Sequence, residues 1–108
     1  MTMSPIVVLT TTDSEELAET IARALVESGE AACVNIIPAI RSIYRWEGNV
    51  CDERELLLVI KSSEERFEAI RTRIRTLHTY QVPEIISLPI LAGDPDYLRW
   101  LRQMTGDE

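Results

Sequence analysis

The sequence predicts an α+β fold built on an antiparallel sheet with one unusually long hairpin. Apolar runs with a period of two alternate along the chain with apolar stripes of helical spacing, in the order β-α-β-β-α-β-α. The two runs in the middle, residues 32–46 and 53–61, flank a short Gly-containing turn and indicate a hairpin. The first six elements form the split βαβ, or ferredoxin-like, pattern, and a C-terminal helix follows. We expect residues 1–108 to form a single domain.

The first strand is predicted over residues 6–12 and is followed by a helix with clear end signals. Asp13 is the expected N-cap, because Glu16 three residues later completes a capping-box pattern. Gly29 is the expected C-terminal stop. The apolar face of this helix is formed by Leu17, Ala18, Ile21, Ala22 and Leu25.

The first arm of the hairpin, residues 32–46, is far longer than the roughly 5–6 residues of a typical strand. Its alternate positions separate an almost wholly apolar face from a mixed one. Pro38 cannot donate to a strand ladder, so this arm is expected at a sheet edge with a bulge or bend. The turn is predicted at residues 47–50.

The second helix is predicted to begin at Ser62, with Glu65 at the N3 position. It should end near His78, because Pro83 follows and disfavours helical geometry before it. Its apolar stripe consists of Phe67, Ile70, Ile74 and Leu77.

The last strand is predicted over residues 84–91, with Pro83 and Pro89 marking it as an edge strand. Asp94 and Pro95 then predict a helix start, with Asp94 as N-cap and proline at the first helical position. The expected inner face of this closing helix is Tyr97, Leu98, Leu101 and Met104.

Right-handed crossovers place the first and third strands at the centre of the sheet and the second and fourth at its edges. The third strand contains the apolar run 56–60, which suits burial on both faces. The hairpin arms exceed the outer strands by five to seven residues, so the hairpin should project about 20 Å beyond the sheet. Its exposed apolar residues would be Ile40, Ile43, Tyr44 and Trp46. Such an edge favours pairing with other copies, and we expect a homo-oligomer of closed symmetry whose subunit number stays open.

Composition excludes two classes of partner. The chain has 11 Lys and Arg against 18 Asp and Glu, a net charge of −7, and so lacks the basic surface that nucleic acids require. No apolar run approaches the roughly 20 residues that cross a membrane. No N-terminal targeting signal is recognisable, so the cytoplasm is the expected location.

The two cysteines are not expected to form a disulfide. Along the predicted ladder Cys33 and Cys51 are about 13 residues, roughly 40 Å, apart, whereas a disulfide needs Cα atoms within about 7 Å. We expect Cys33 to be a small buried hydrophobe and Cys51 to be exposed or at a subunit contact.

Catalytic motifs are missing from the sequence: it contains no nucleophile elbow, P-loop, GxGxxG, CxxC or HExxH, and we expect no enzyme. The one group of residues that we single out as a candidate site is Lys61, His78, Tyr80 and Glu84. Lys61 suits a surface or interface ion pair, and the topology lets it meet Glu84 only across an interface. His78 suits either a helix C-terminus or a metal-binding or proton-transfer role.

Six motifs resemble the CutA divalent-cation tolerance family. They are AACVNIIP (31–38), SIYRWEG (42–48), ELLLVIK (55–61), HTYQVPEII (78–86), LPI (88–90) and YLRWL (97–101). The resemblance implies a ferredoxin-like subunit in a homotrimer, with the hairpins packed between subunits. It also implies a non-catalytic role in divalent-metal tolerance, with copper or another divalent cation as ligand.

The implied trimer is similar to that of the PII signalling proteins, so a small-ligand sensor or interaction module that uses inter-subunit clefts is the alternative. Some bacterial members carry a cysteine where this chain has Thr10, and paired histidines where it has Leu77 and His78. Only His78 is therefore carried over from the family's metal site. In a symmetric oligomer, Glu84 or a cysteine of a neighbouring copy could complete the ligand set. The expected cleft or interface residues are Cys33, Tyr44, Trp46, Lys61 and Tyr80.

Overall fold

The structure, a computed structural model, describes residues 4–106. Residues 1–3, in the segment where no targeting signal is expected, lie outside this range. A short 3-10 turn, Glu64–Arg66, connects the third strand to the second helix. The elements in chain order are β1 Pro5–Thr12, α1 Glu15–Glu27, β2 Cys33–Trp46, β3 Asn49–Ser63, α2 Phe67–Leu77, β4 Ile86–Pro89 and α3 Pro95–Met104.

The four strands form an antiparallel sheet in the order β2-β3-β1-β4. The prediction that the first and third strands are central and the second and fourth are edges is confirmed. Pro38 lies in β2 and Pro89 in β4, which are the two edge strands. A proline is tolerated in an edge strand because its missing N–H does not remove a hydrogen bond from the centre of the sheet.

The hairpin has the predicted bulge, but its turn is shorter than the predicted residues 47–50, because Asn49 and Val50 already belong to β3. The β2–β3 register shifts between Ile37 and Ile40, and Ala39 in the bulge has a left-handed φ of 62°. The turn consists of Glu47 and Gly48 with φ values of 49° and 84°, the signature of a type I′ turn. The backbone twist of a type I′ turn matches the right-handed twist of the two strands that it joins.

Two helix starts differ from prediction. Ser14, not Asp13, caps α1, because its Oγ accepts a hydrogen bond from the N–H of Leu17 at 3.1 Å. Ser62 does not begin α2, since it is still part of β3 and its hydroxyl donates to the carbonyl of Glu30 at 2.6 Å. Asp94 caps α3 as predicted, by accepting from two backbone N–H groups of the first turn.

The last strand is shorter than residues 84–91. Only Ile86–Pro89 pair with β1, where Ile86 lies opposite Leu9 and Pro89 opposite Ile6. Pro83 has no N–H to donate, and regular pairing begins only three residues after it.

The apolar core lies between one face of the sheet and the helices α1 and α2. Its side chains come from β1, β3, α1, α2 and the turn after α1; the buried members are Ile6, Val8, Ala18, Ile21, Leu25, Ala31, Leu58, Ile60, Ile70 and Ile74. Burial of residues 56–60 on both faces is wrong for the single chain. Leu57 and Val59, on the opposite face, are only half-buried, because α1 and α2 do not reach them.

Helix α3 covers one end of that second face. Ser63 follows Ser62, which faces α1, so strand alternation turns Ser63 to the other side, where its hydroxyl bonds that of Thr105 at 2.7 Å. Leu101 is fully buried there. Tyr97 and Met104 are exposed, contrary to the expected inner face, and Leu101 is the buried residue of α3 in the single chain.

The projection of the hairpin is confirmed. β1 pairs with β3 only from Leu56 to Ser63, so residues 49–55 of β3 pair with β2 alone. The projecting part leaves Ile43 66% and Val50 71% exposed. Ile40 is half-buried rather than exposed, because it pairs with the buried Glu55 at the base of the projection. The described residues measure 47 × 25 × 21 Å, and the hairpin accounts for the elongation.

Thr10 offers a test of polar burial in β1. Its side chain is fully buried, and its Oγ1 has no hydrogen-bond partner among the described residues. Replacing the hydroxyl by a methyl group removes an unsatisfied polar atom at almost unchanged shape. We expect Thr10→Val to raise the free energy of unfolding by about 1 kcal/mol in urea titrations.

Thr12→Val is the matched control in the same strand. Thr12 is equally buried, but its Oγ1 accepts a hydrogen bond from the N–H of Ser14 at 3.3 Å. This variant should lower the free energy of unfolding by about 1 kcal/mol. A loss of stability in both variants would contradict the unsatisfied state of Thr10.

Candidate functional site

A cleft of about 670 Å³ lies at the base of the projecting hairpin, between the hairpin and the loop that joins α2 to β4. Its volume falls in the range of small-molecule sites. The lining residues are Thr11, Ser42, Ile43, Tyr44, Trp46, Glu55, Thr79, Tyr80, Gln81, Val82 and Glu84. Glu55 shares its strand face with Leu57, so the cleft opens on the side of the sheet away from α1 and α2.

Glu55 is the buried acid of the cleft. It is 7% exposed, and its Oε2 accepts a hydrogen bond from the hydroxyl of Tyr80 at 2.6 Å. No ion pair to Glu55 is found within residues 4–106, although buried carboxylates usually have a cationic partner. Burial, followed by the bond to Glu55 and its charge, raises the pKa of Tyr80 well above its usual range.

His78 holds the backbone of Tyr80 rather than facing the cleft. The N–H of Tyr80 donates to Nδ1 of His78 at 3.1 Å, so the neutral ring carries its proton on Nε2. That nitrogen therefore donates to the carbonyl of Thr11, 2.7 Å away. Both ring nitrogens are engaged, and the imidazole anchors the loop onto the end of β1.

The hairpin brings Tyr44 and Trp46 to the same cleft, and the loop brings Glu84, which is exposed. Partial burial, followed by nearby acidic groups that include Glu53 and Glu55, raises the pKa of Tyr44. Of the predicted site residues, these three and Tyr80 lie together.

Lys61 and Cys33 lie elsewhere. They pair with each other across the β2–β3 ladder, and Lys61 is six residues, about 20 Å, along β3 from Glu55. Full burial of Cys33 is wrong for the single chain, because its face of the edge strand is only partly covered. Cys33 and Cys51 are both half-buried, and they lie near opposite ends of the hairpin, opposite Lys61 and Tyr44 respectively.

The donor atoms of the cleft do not fit copper within one chain. Residues 4–106 contain no cluster of three or more His, Cys, Asp or Glu side chains with metal-binding geometry. Copper favours nitrogen and sulfur ligands, whereas the cleft offers the oxygens of Glu55, Glu84 and hydroxyl groups. Oxygen donors suit harder divalent cations, and a complete ligand set would need a second copy of the chain.

Sequence reasoning missed Glu55 and Thr11. Glu55 is separated from Tyr80 by 25 positions, and only the fold joins them. One signal was available: Glu55 is an acid at the boundary of an apolar strand, on the strand face that also carries Lys61. Thr11 acts through its backbone carbonyl, which no residue pattern reveals.

A family model for the CutA1 divalent ion tolerance protein matches residues 6–104. The chain belongs to the CutA1 family. The divalent-cation tolerance protein CutA of Thermus thermophilus is 54% identical over 100 residues, which cover 93% of this chain and 97% of that protein. The crystal structure of CutA1 from Oryza sativa has a TM-score of 0.94 and 40% identity, and the match covers 99% of this chain and 98% of that one.

Not all CutA relatives have the same extent. Protein CutA of Mus musculus is 44% identical over 95 residues, which make up 88% of this chain but 54% of that protein. The chain thus spans about half the length of this relative.

The relative from Arabidopsis thaliana is named chloroplastic and the structure from Archaeoglobus fulgidus is named periplasmic. No helix within the described range is long and apolar enough to span a membrane.

The Tyr80–Glu55 bond predicts a stability effect. Tyr80→Phe leaves Glu55 buried without its donor and should lower the free energy of unfolding by about 2 kcal/mol. Tyr97→Phe is the control, because no hydrogen bond to its hydroxyl is present in the described structure, and it should change stability by less than about 0.5 kcal/mol. Equal effects of the two substitutions in urea unfolding would refute the role of this bond.

The raised pKa of Tyr80 also predicts a pH dependence. Above about pH 10 the tyrosine of the unfolded chain loses its proton, while folded Tyr80 keeps it. Stability should therefore fall as the pH rises above 10, and Tyr80→Phe should make that fall less steep. Thermal unfolding between neutral and strongly alkaline pH measures the difference, and parallel curves for both proteins would contradict the assignment.

Proposed function

We propose that this CutA1 family member is a homotrimeric, non-catalytic divalent-metal tolerance protein, built as a single ferredoxin-like domain over residues 1–108. The observation that carries the binding part is the cleft in which Glu84 stands exposed beside the buried Glu55. The names of its relatives, which include divalent-cation tolerance protein, support the role in metal tolerance. We also propose a cytoplasmic location.

The hairpin supports the assembly. A single chain leaves Ile43, Trp46 and Val50 exposed on a projecting two-stranded ribbon, which is marginally stable alone. It also leaves the apolar second face of the sheet half-covered. Packing against neighbouring copies would shield both surfaces, and the number three is what the resemblance to the CutA family implies.

His78 and Glu84 remain the proposed metal ligands, with copper among the metals, and the geometry favours Glu84. Its carboxylate is exposed in the cleft, whereas His78 would have to give up one of two hydrogen bonds. A metal site would therefore combine Glu84 with donors from a neighbouring subunit. Non-catalytic function is supported by the lack of any nucleophile–base motif in the sequence.

Metal titration tests this proposal. Calorimetry of the reduced, assembled protein with Cu²⁺, Cu⁺ and Zn²⁺ should show saturable binding at micromolar metal. Glu84→Gln should weaken metal binding. His78→Ala should also weaken metal binding if His78 is a ligand, and should leave it unchanged if the ring keeps its hydrogen bonds to Thr11 and Tyr80. Glu16→Gln, which removes an exposed acid on α1, is the matched control. Metal isotherms that are unchanged in Glu84→Gln would exclude the site.

A substitution in the hairpin tests the assembly. Ile43→Lys places a charge at an exposed apolar position of the projection, and we expect it to dissociate the oligomer. Val26→Lys, at an exposed apolar position on α1 outside the hairpin, should leave the oligomer intact. If light scattering shows that both variants keep the mass of the unmodified oligomer, the hairpin does not form the contact between subunits.

A second candidate function, the binding of a small ligand in an inter-subunit cleft, is favoured by the size of the cleft and by the hydrogen bonds that order its wall. The buried Glu55 is bonded to Tyr80, whose loop is in turn fixed by His78. Such preorganisation suits recognition of a defined molecule. A thermal-shift screen with nucleotides and other metabolites would detect it.

A further inference from the structure

Glu55 lacks a positively charged partner in the described structure. The Glu55 residue is only 7% exposed, and the hydroxyl of Tyr80, which donates to its carboxylate, is a neutral donor. A buried carboxylate is tolerated when a cation compensates it, and it is costly without one. Because Glu55 lies on the wall of the cleft, a cation that enters the cleft could reach its carboxylate.

The basic side chains of residues 4–106 do not supply that cation. No lysine or arginine lines the cleft. Lys61 is about 20 Å away along β3. The arginines of the hairpin lie on its opposite face, because Arg41, which pairs with Arg54, alternates with the cleft residue Ser42. Arg41 is bound there to Asp52, through contacts of 2.8 and 2.6 Å.

Three aromatic rings contribute to the wall of the cleft, beside smaller polar and aliphatic side chains. Tyr44 and Trp46 come from the hairpin and Tyr80 from the loop, and all three line the cleft. The faces of such rings attract cations, and the attraction grows when the cation is desolvated. Glu84 adds a second carboxylate at the exposed side. Acidic groups with aromatic rings favour an organic cation and disfavour phosphates and other anions.

We propose that the cleft binds a small organic cation, a quaternary ammonium or guanidinium compound, with its charge at Glu55 and its body among Tyr44, Trp46 and Tyr80. The proposal rests on the second candidate function above. Because Glu84 is also a proposed metal ligand, a metal ion in the cleft would compete with the organic cation, and binding is therefore tested without metal. The volume of about 670 Å³ accommodates a ligand of metabolite size. The charge of the ligand would compensate Glu55, and the hydroxyl of Tyr80 would keep the carboxylate oriented.

Two probes separate the contributions to binding. Choline offers no N–H and depends on the rings and charge, whereas guanidinium can also donate hydrogen bonds to a carboxylate. Calorimetric titration of the assembled protein, in chelator-treated buffer at constant ionic strength, should show saturable binding of at least one probe. Sodium chloride at the same concentration is the blank and should give no saturable heat.

Three variants identify the site. Glu55→Gln keeps an acceptor for Tyr80 but removes the charge, and Trp46→Leu removes a ring; each should weaken binding by about tenfold or more. Glu16→Gln, outside the cleft, should bind as the unmodified protein does. Circular dichroism and light scattering of each variant verify that fold and assembly are retained.

Three results would overturn the proposal. One is the absence of saturable binding of both probes, and another is equal affinity in Glu55→Gln and the unmodified protein. The third is dissociation of the oligomer by Glu55→Gln, which would show that a basic residue of a neighbouring copy already occupies the cleft. Thermal shifts with nucleotides but not with the cations would refute the ligand class and leave the second candidate function standing. Metal binding without cation binding would refute the inference alone.

Discussion

The length mismatch between the hairpin and the strands beside it is the constraint on which the structure depends. β1 ends its pairing with β3 at Leu56, while β2 and β3 continue together to the turn at Gly48. The extra length cannot be covered by α1 or α2, whose side chains pack on the sheet proper. The hairpin therefore carries apolar residues into solvent, and only another molecule can cover them.

The same mismatch creates the cleft. Glu55 is the first residue of β3 beyond the partner strand β1, so its side chain meets the loop after α2 instead of another strand. His78 fixes that loop to Thr11 at the end of β1, and Tyr80 then closes onto Glu55. The hairpin contributes its aromatic side chains from the other side. The proposed assembly surface and the candidate binding site therefore lie next to each other, and both result from the extra length of the hairpin.

Strand order, the bulge near Pro38 and the projection followed from the sequence, because proline chemistry and strand length are local properties. The helix start at Ser14 was missed by one position, since Asp13 and Ser14 are both good caps and only backbone geometry selects between them. Ser62 looked like a cap until tertiary pairing extended β3 through it. The bonds that define the cleft join positions far apart in the chain, so no local pattern contains them.

The central claim is that the hairpin makes the single chain incomplete. The most direct test is sedimentation equilibrium of the unmodified protein at micromolar concentration under reducing conditions. The account predicts a single species with three times the 12.3 kDa mass of the chain. A stable species of 12.3 kDa would contradict it, because the exposed hairpin would then be tolerated in water without a partner.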